Sequence, residues 1–115
     1  MNRILIAEDE SRIAAFMQKG LQKNGFQAEI AKNGLEALQM IDKNDFDLLL
    51  LDLKMPVKDG WAVLKELRSQ GNLIPIIVVS ANNNIDQDSE IIDYVSKPFE
   101  FKDLLARIKL YLSKS

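Results

Sequence analysis

Asp47-Leu48-Leu49-Leu50-Leu51-Asp52 is an apolar run that begins and ends on an acid. Continuous apolarity over this length reads as a central parallel strand covered on both faces. Ile76-Ile77-Val78-Val79 has the same character. Working outward, the predicted strands are Arg3–Ala7, Gln27–Ala31, Asp47–Leu51, Pro75–Ser80 and Ile91–Ser96. Helical spacing fills most of the intervals. One helix follows Ser11, places Ile13, Phe16, Met17 and Leu21 on one face and ends near Gly25. A second starts near Asn33-Gly34 and buries Ala37, Leu38 and Ile41. A third runs from about Gly60 to Gly71 with Val63, Leu64 and Leu67 inward. The last covers Glu100 to about Leu112, burying Leu104, Leu105, Ile108 and Leu112. Strand–helix alternation at this spacing predicts right-handed crossovers and a three-layer α/β sandwich.

One interval breaks the pattern. Between Ala81 and Glu90 lie Asn82-Asn83-Asn84, Asp86 and Asp88, residues that favour turns and caps over helix interiors. Allowing for loops, about two turns of helix fit there at most. A short or missing fourth helix is expected.

At 115 residues the chain has the size of one domain. Its 47% hydrophobic content is enough to build a core. The net charge of −2, with acids and bases spread along the chain, argues against direct nucleic-acid binding. The absence of a leader-like start or a membrane-length apolar stretch points to a soluble, cytoplasmic protein. With no Cys there is no disulfide, thiolate nucleophile or zinc–thiolate site. With no His, chemistry falls to carboxylates, hydroxyls, lysine or a hard metal.

In open parallel sheets, ligands bind beyond the carboxyl ends of the strands. Glu8 and Asp9 follow the first strand, Asp52 the third and Lys97 the fifth, while Ser80 closes the fourth. Two carboxylates about 4 Å apart repel by roughly 4 kcal/mol at an effective dielectric near 20. A hard divalent ion relieves this, and Mg²⁺ accepts a few carboxylates while keeping waters. Phosphoryl transfer needs its equatorial oxygens positioned and neutralised. Mg²⁺ would cover one, the Lys97 ammonium a second, and the Ser80 hydroxyl with a neighbouring amide, that of Ala81, a third. Pro98 would help aim Lys97 across the strand ends, through a cis or a trans bond.

Four segments, taken together and in order, resemble a two-component response-regulator receiver domain. They are Ile4-Leu5-Ile6-Ala7-Glu8-Asp9-Glu10, Asp52-Leu53-Lys54-Met55-Pro56 with Asp59-Gly60, Val78-Val79-Ser80-Ala81, and Asp93-Tyr94-Val95-Ser96-Lys97-Pro98-Phe99. The resemblance covers the whole chain and implies one receiver domain over residues 1–115. It implies a flavodoxin-like sandwich with a five-stranded parallel sheet in the order 2-1-3-4-5. Asp52 would be the phosphoacceptor, charged by a histidine kinase or a histidine phosphotransfer protein. Asp9 and Asp52 would ligate Mg²⁺ (or Mn²⁺) with the backbone carbonyl of Lys54, and Glu8 would act through water. Ser80 would be the switch hydroxyl, Tyr94 the aromatic that rotates inward with it, and Lys97 the phosphate-binding lysine. The chain would catalyse its own phosphorylation and slow dephosphorylation without being a metabolic enzyme.

The segment Pro98 to Ile108 looks most like receivers of the winged-helix transcription-factor branch. There the fourth helix, fifth strand and fifth helix form the activated dimer face. The short Ala81–Glu90 interval predicts that this face is reshaped, so a monomer or weak dimer is expected. Glu8 stands where aspartate is more usual, and its longer arm still reaches a metal-bound water. The downstream protein or fused output domain is not legible, nor is whether the chain stands alone or continues past Ser115.

Blander readings exist for single residues. Glu8-Asp9 can open a helix, where acids complement its dipole. Asp52 alone can be a turn residue. Trp61, Phe16, Phe26 and Phe46 read as packing, while Leu110 and Tyr111 lie off the last helix's buried stripe. Three competing functions are a phosphorylation-independent docking module, an aspartyl-phosphate phosphatase and a flavin carrier. The phosphatase needs an acid two positions after its nucleophile, where Lys54 stands. The flavin carrier needs a phosphate loop where Glu8-Asp9-Glu10 would repel one.

Overall fold

The computed structural model describes residues 2–81 and 91–113. Strands β1 (Arg3–Ala7), β2 (Gln27–Ala31), β3 (Leu48–Leu51), β4 (Ile76–Ser80) and β5 (Asp93–Ser96) form one parallel sheet. Their order is β2-β1-β3-β4-β5, the expected flavodoxin-like arrangement. Four helices are present among the described residues: α1 (Ser11–Lys23), α2 (Gly34–Lys43), α3 (Gly60–Ser69) and α4 (Phe101–Leu112). The short-helix expectation falls on 82–90, outside the described residues.

Side-chain alternation along the strands divides the interior into two cores. Leu5, Ala7, Leu49, Leu51, Ile76 and Val78 face α2 and α3, meeting Ala37, Leu38, Ile41, Val63, Leu64 and Leu67. Ile4, Ile6, Leu48, Leu50, Ile77 and Val79 face the other way, against Ala14, Met17, Leu21, Leu104 and Ile108. All four β3 leucines are therefore buried, alternately into one core and the other. That is why Leu48 to Leu51 run without a polar residue between the two acids.

Helix starts follow local chemistry. Asn33 Oδ1 accepts a 2.8 Å hydrogen bond from the Glu36 amide, capping α2. Asp59 Oδ1 does the same for the Ala62 amide at 2.9 Å, capping α3. The structure shifts some expected boundaries by a residue or two. Asp47 stays outside β3, where its carboxylate accepts the Arg3 amide at 2.7 Å. Pro75 has no N–H for a ladder, and its carbonyl accepts from the Leu49 amide at 2.9 Å.

Two side-chain placements differ from the sequence reading. Phe16 is 57% exposed instead of inward. The buried stripe of α1 runs through Ala14, Met17 and Leu21. Phe16 precedes Met17 by one residue, about 100° around the helix, and its ring edge meets Phe101 with centroids 5.8 Å apart. Tyr111 is partly buried against the core, and its hydroxyl donates to the Ile92 carbonyl at 3.0 Å. It ties α4 to the entry of β5 and is not a free surface aromatic.

The loop from Asp52 to α3 is tightly drawn. The Gly60 amide donates to the Leu53 carbonyl at 3.0 Å. A Cβ on Gly60 would strike the Asp52 carbonyl oxygen, so only glycine lets α3 begin this close. Val57 adopts φ 70°, and the Lys58 amide donates to the Pro56 carbonyl at 2.7 Å across it. A β-branched residue there is strained by about 1–2 kcal/mol. Val57→Gly should therefore raise the thermal midpoint by several degrees, and Gly60→Ala should lower it by a similar amount or more. Calorimetry checks both, and equal midpoints for the three proteins would contradict this account of the loop.

Candidate functional site

Register brings the acids together. Ala7 pairs with Leu51 at the last rung between β1 and β3. The ladder continues one step further, with the Asp52 amide donating to the Ala7 carbonyl and the Glu8 amide to the Ala31 carbonyl, each at 3.0 Å. The residues that follow two buried strands thus emerge side by side. At the other end of the row, the Lys97 amide donates to the Ser80 carbonyl at 3.0 Å. Lys97 is held by backbone before its side chain reaches back across the sheet edge. The Lys97-Pro98 peptide is cis.

Glu8, Asp9 and Asp52 each present one carboxylate oxygen within 4.8 Å of the others. Glu8 and Asp52 are buried, at 2% and 5% exposure, while Asp9 faces solvent. Lys97 Nζ lies 2.6 Å from Glu8 Oε1 and 3.2 Å from Asp52 Oδ2. Apart from this Lys97 contact, the buried Glu8 Oε1 has no donor among the described residues. Glu8 Oε2 accepts the Glu10 amide at 3.1 Å. Asp52 Oδ1 accepts the Lys54 amide at 3.1 Å, which fixes the Asp52 rotamer. The Lys54 side chain points into solvent.

Burial pushes the Glu8 carboxyl up from its ordinary 4.5 to about 7, against the Lys97 and Glu10 hydrogen bonds that pull it down. Burial also disfavours the Lys97 charge, yet its hydrogen bond to Glu8 and the charges of Glu8 and Asp52 leave its pKa raised. Three carboxylates share one ammonium here, a donor set short of positive charge. An under-coordinated carboxylate oxygen among closely spaced acids suits a hard divalent cation with oxygen ligands.

Ser80 is fully buried at the end of β4. Its carbonyl accepts from the Tyr94 hydroxyl at 3.1 Å, so the Tyr94 ring lies inward, packed on the α2–α3 side of the sheet. Glu8, Asp9, Asp52, Lys54, Ser80 and Lys97 thus lie at or just past the carboxyl ends of the strands, and Tyr94, earlier in β5, reaches that end through its hydroxyl. Sequence reasoning missed two contacts. Glu10 Oε1 lies 3.9 Å from Lys97 Nζ, and its place directly after Glu8-Asp9 was the available signal. The Arg107 guanidinium donates to Asp93 at 2.7 Å and to the Tyr94 carbonyl at 3.4 Å, a pairing across fourteen residues with no sequence signature.

Comparison with known proteins agrees with this geometry. A family model described as the response regulator receiver domain matches residues 4–109. The transcriptional regulatory protein PcoR of Escherichia coli is 35% identical over 120 aligned positions, covering 100% of this chain and 53% of its own length. The response regulator MprA of Mycobacterium leprae is 36% identical over 118, covering 98% of this chain and 52% of its own. The chain therefore spans about half the length of these curated relatives. Among solved structures, the receiver domain of the Francisella response regulator 1452 superposes with a TM-score of 0.90 at 33% identity, covering 96% of this chain and 95% of that one. The Thermotoga maritima response regulator TrrA, solved in complex with Mg²⁺–BeF, gives 0.87 at 33% identity, covering 96% and 98%. No helix among the described residues is long and apolar enough to cross a membrane.

The raised Glu8 pKa has a sign. Folded protein holds the Glu8 proton more tightly than unfolded chain, so the Glu8 contribution to stability falls as pH rises from about 4.5 to about 7. Lys97, with its pKa raised, stays charged throughout. In metal-free buffer, the wild-type melting temperature should fall relative to Glu8→Gln between pH 5 and pH 8. Added Mg²⁺ should restore it at pH 8. Parallel melting curves for the two proteins across this range would refute the burial argument.

Proposed function

The chain belongs to the response-regulator receiver family, and on that footing we propose that Asp52 is its phosphoacceptor. Receiver domains are phosphoryl-accepting modules of two-component signalling and not metabolic enzymes. The reading of Asp52 rests chiefly on one observation. The Lys97 ammonium bridges Asp52 and Glu8 at a sheet edge that also gathers Asp9.

In this proposal Asp9, Asp52 and the Lys54 carbonyl would hold Mg²⁺, or Mn²⁺, and Glu8 would act through water. The ion, when present, offsets carboxylate charge and that of one phosphoryl oxygen. The Lys54 amide holds Asp52 in one rotamer, so its carboxylate meets phosphorus without reorganising. Asp52 forms the new P–O bond while the donor's bond breaks and its electron pair leaves with the donor. Lys97 then exchanges carboxylate oxygens for a phosphoryl oxygen, a small movement for a flexible stem. The buried Ser80 hydroxyl would turn to another phosphoryl oxygen, and Tyr94, hydrogen-bonded to Ser80, would pass that movement outward. The same groups would support autophosphorylation from small donors and slow self-hydrolysis.

The domain would occupy residues 1–115, take its phosphoryl group from a histidine kinase or phosphotransfer protein, and act in the cytoplasm as a monomer or weak dimer. The last helix and the relative PcoR, a transcriptional regulatory protein, support an output in transcription control.

Trp61 lies in the first turn of α3, packed against the core beside the Asp52 loop. Mg²⁺ with beryllofluoride should change its fluorescence in wild type and leave Asp52→Asn unchanged. Without metal, Asp52→Asn should melt higher than wild type through relief of repulsion, and Mg²⁺ should stabilise only the wild type strongly. Phosphorylation retained in Asp52→Asn would remove this assignment.

A further inference from the structure

We propose that Glu10 is a specificity-determining residue whose charge turns small dianionic phosphodonors away from Asp52. The inference rests on Asp52 being the phosphoacceptor. Glu10 Oε1 stands 3.9 Å from Lys97 Nζ, with its side chain 62% exposed. It occupies the N-cap of α1 yet makes no side-chain capping hydrogen bond, so helix initiation does not explain the carboxylate. Its amide donates to Glu8 Oε2, which fixes where the side chain starts. Glu10 also lines a cavity of about 520 Å³ that opens beside Lys97, walled by Ile13, Phe16, Pro98 and Phe99. Lys97 lines the same cavity and its Nζ lies 3.2 Å from Asp52 Oδ2, so a donor that meets Asp52 and Lys97 comes within range of the Glu10 carboxylate.

Lys97 does not cancel that charge, because Glu8 and Asp52 already engage it at shorter range. Arg12 lines the cavity as well, with the opposite charge. It is common to wild type and variant, so replacing Glu10 isolates one negative charge at the mouth. In the transfer, Asp52 forms the P–O bond and acetate leaves acetyl phosphate with the electron pair of the broken bond. Repulsion acts on the approach, before any bond changes.

Screened Coulomb repulsion between one carboxylate and a dianion about 7 Å away predicts the size of the effect. With saturating Mg²⁺ at pH 7, Glu10→Gln should speed phosphorylation by acetyl phosphate, followed by Trp61 fluorescence. The gain should be about fivefold at an ionic strength near 0.01 M and about twofold near 0.15 M. Phosphoramidate, a monoanion at this pH, should gain only about twofold at low salt. Glu10→Lys should roughly square each gain. Mg²⁺ affinity, measured without donor, should move the opposite way and weaken about fivefold in Glu10→Gln at low salt. General damage to the site would lower both quantities together. Equal gains for both donors, gains insensitive to salt, or no gain at all would overturn the proposal. Those results in a wild-type protein that still loses its response on Asp52→Asn would overturn the role of Glu10 alone. A response that survives Asp52→Asn would overturn the phosphoacceptor reading itself.

Discussion

The Lys97 ammonium between Glu8 and Asp52 is the contact on which this sheet edge depends. Parallel register obliges β1 and β3 to deliver their following residues side by side, and both are carboxylates. Without a cation between them, burial and mutual repulsion would favour a protonated acid or a displaced loop. Lys97 supplies one positive charge from the far side of the sheet, with its own backbone fixed on Ser80. One ammonium against three carboxylates is still a deficit. Burial raises the Glu8 pKa, and the Asp52 charge adds to the rise, while Glu8 Oε1 is left with no hydrogen-bond donor among the described residues besides the Lys97 ion pair. In the proposed Mg²⁺ site, a bound ion would recover stability lost to this cluster.

The surroundings connect that edge to the rest of the molecule. Gly60 lets α3 start against the Asp52 backbone, and the Asp59 cap fixes its first turn. On the other side, the Tyr94 hydroxyl holds the Ser80 carbonyl, and Arg107 of α4 holds Asp93 and the Tyr94 carbonyl. Burial opposes the Arg107 charge, but the bonds to Asp93 and Asp103 raise its pKa, so it stays cationic at any working pH. Lys97 joins Asp52 to the Ser80 carbonyl, and Tyr94 joins that carbonyl to Arg107 of α4, so the proposed phosphoacceptor has a route of contacts to the last helix. Arg107 offers a test of that route because it touches none of the carboxylates of the site.

Much of the fold was legible because each layer repeats a simple pattern. The uninterrupted leucines of β3 mark a strand buried on both faces, and the stripes of α2 and α3 lie where their spacing puts them. The site was legible because the residues after parallel strands must share an edge, whatever else the chain does. Phe16 misled, since an aromatic one residue off the buried stripe is hard to separate from one on it. Tyr111 misled because its hydroxyl's partner, the Ile92 carbonyl, is backbone and leaves no trace in side-chain patterning. Glu10 was legible only as a third acid in a row, and the fold alone shows how near Lys97 it comes.

The most direct measurement is the mass of the protein after exposure to acetyl phosphate, with and without Mg²⁺, followed by peptide mapping after borohydride reduction of the acyl phosphate. The account predicts a gain of one phosphoryl group that requires the metal and maps to Asp52. A metal-independent gain, or one that maps to Asp9 or any other residue, would contradict it.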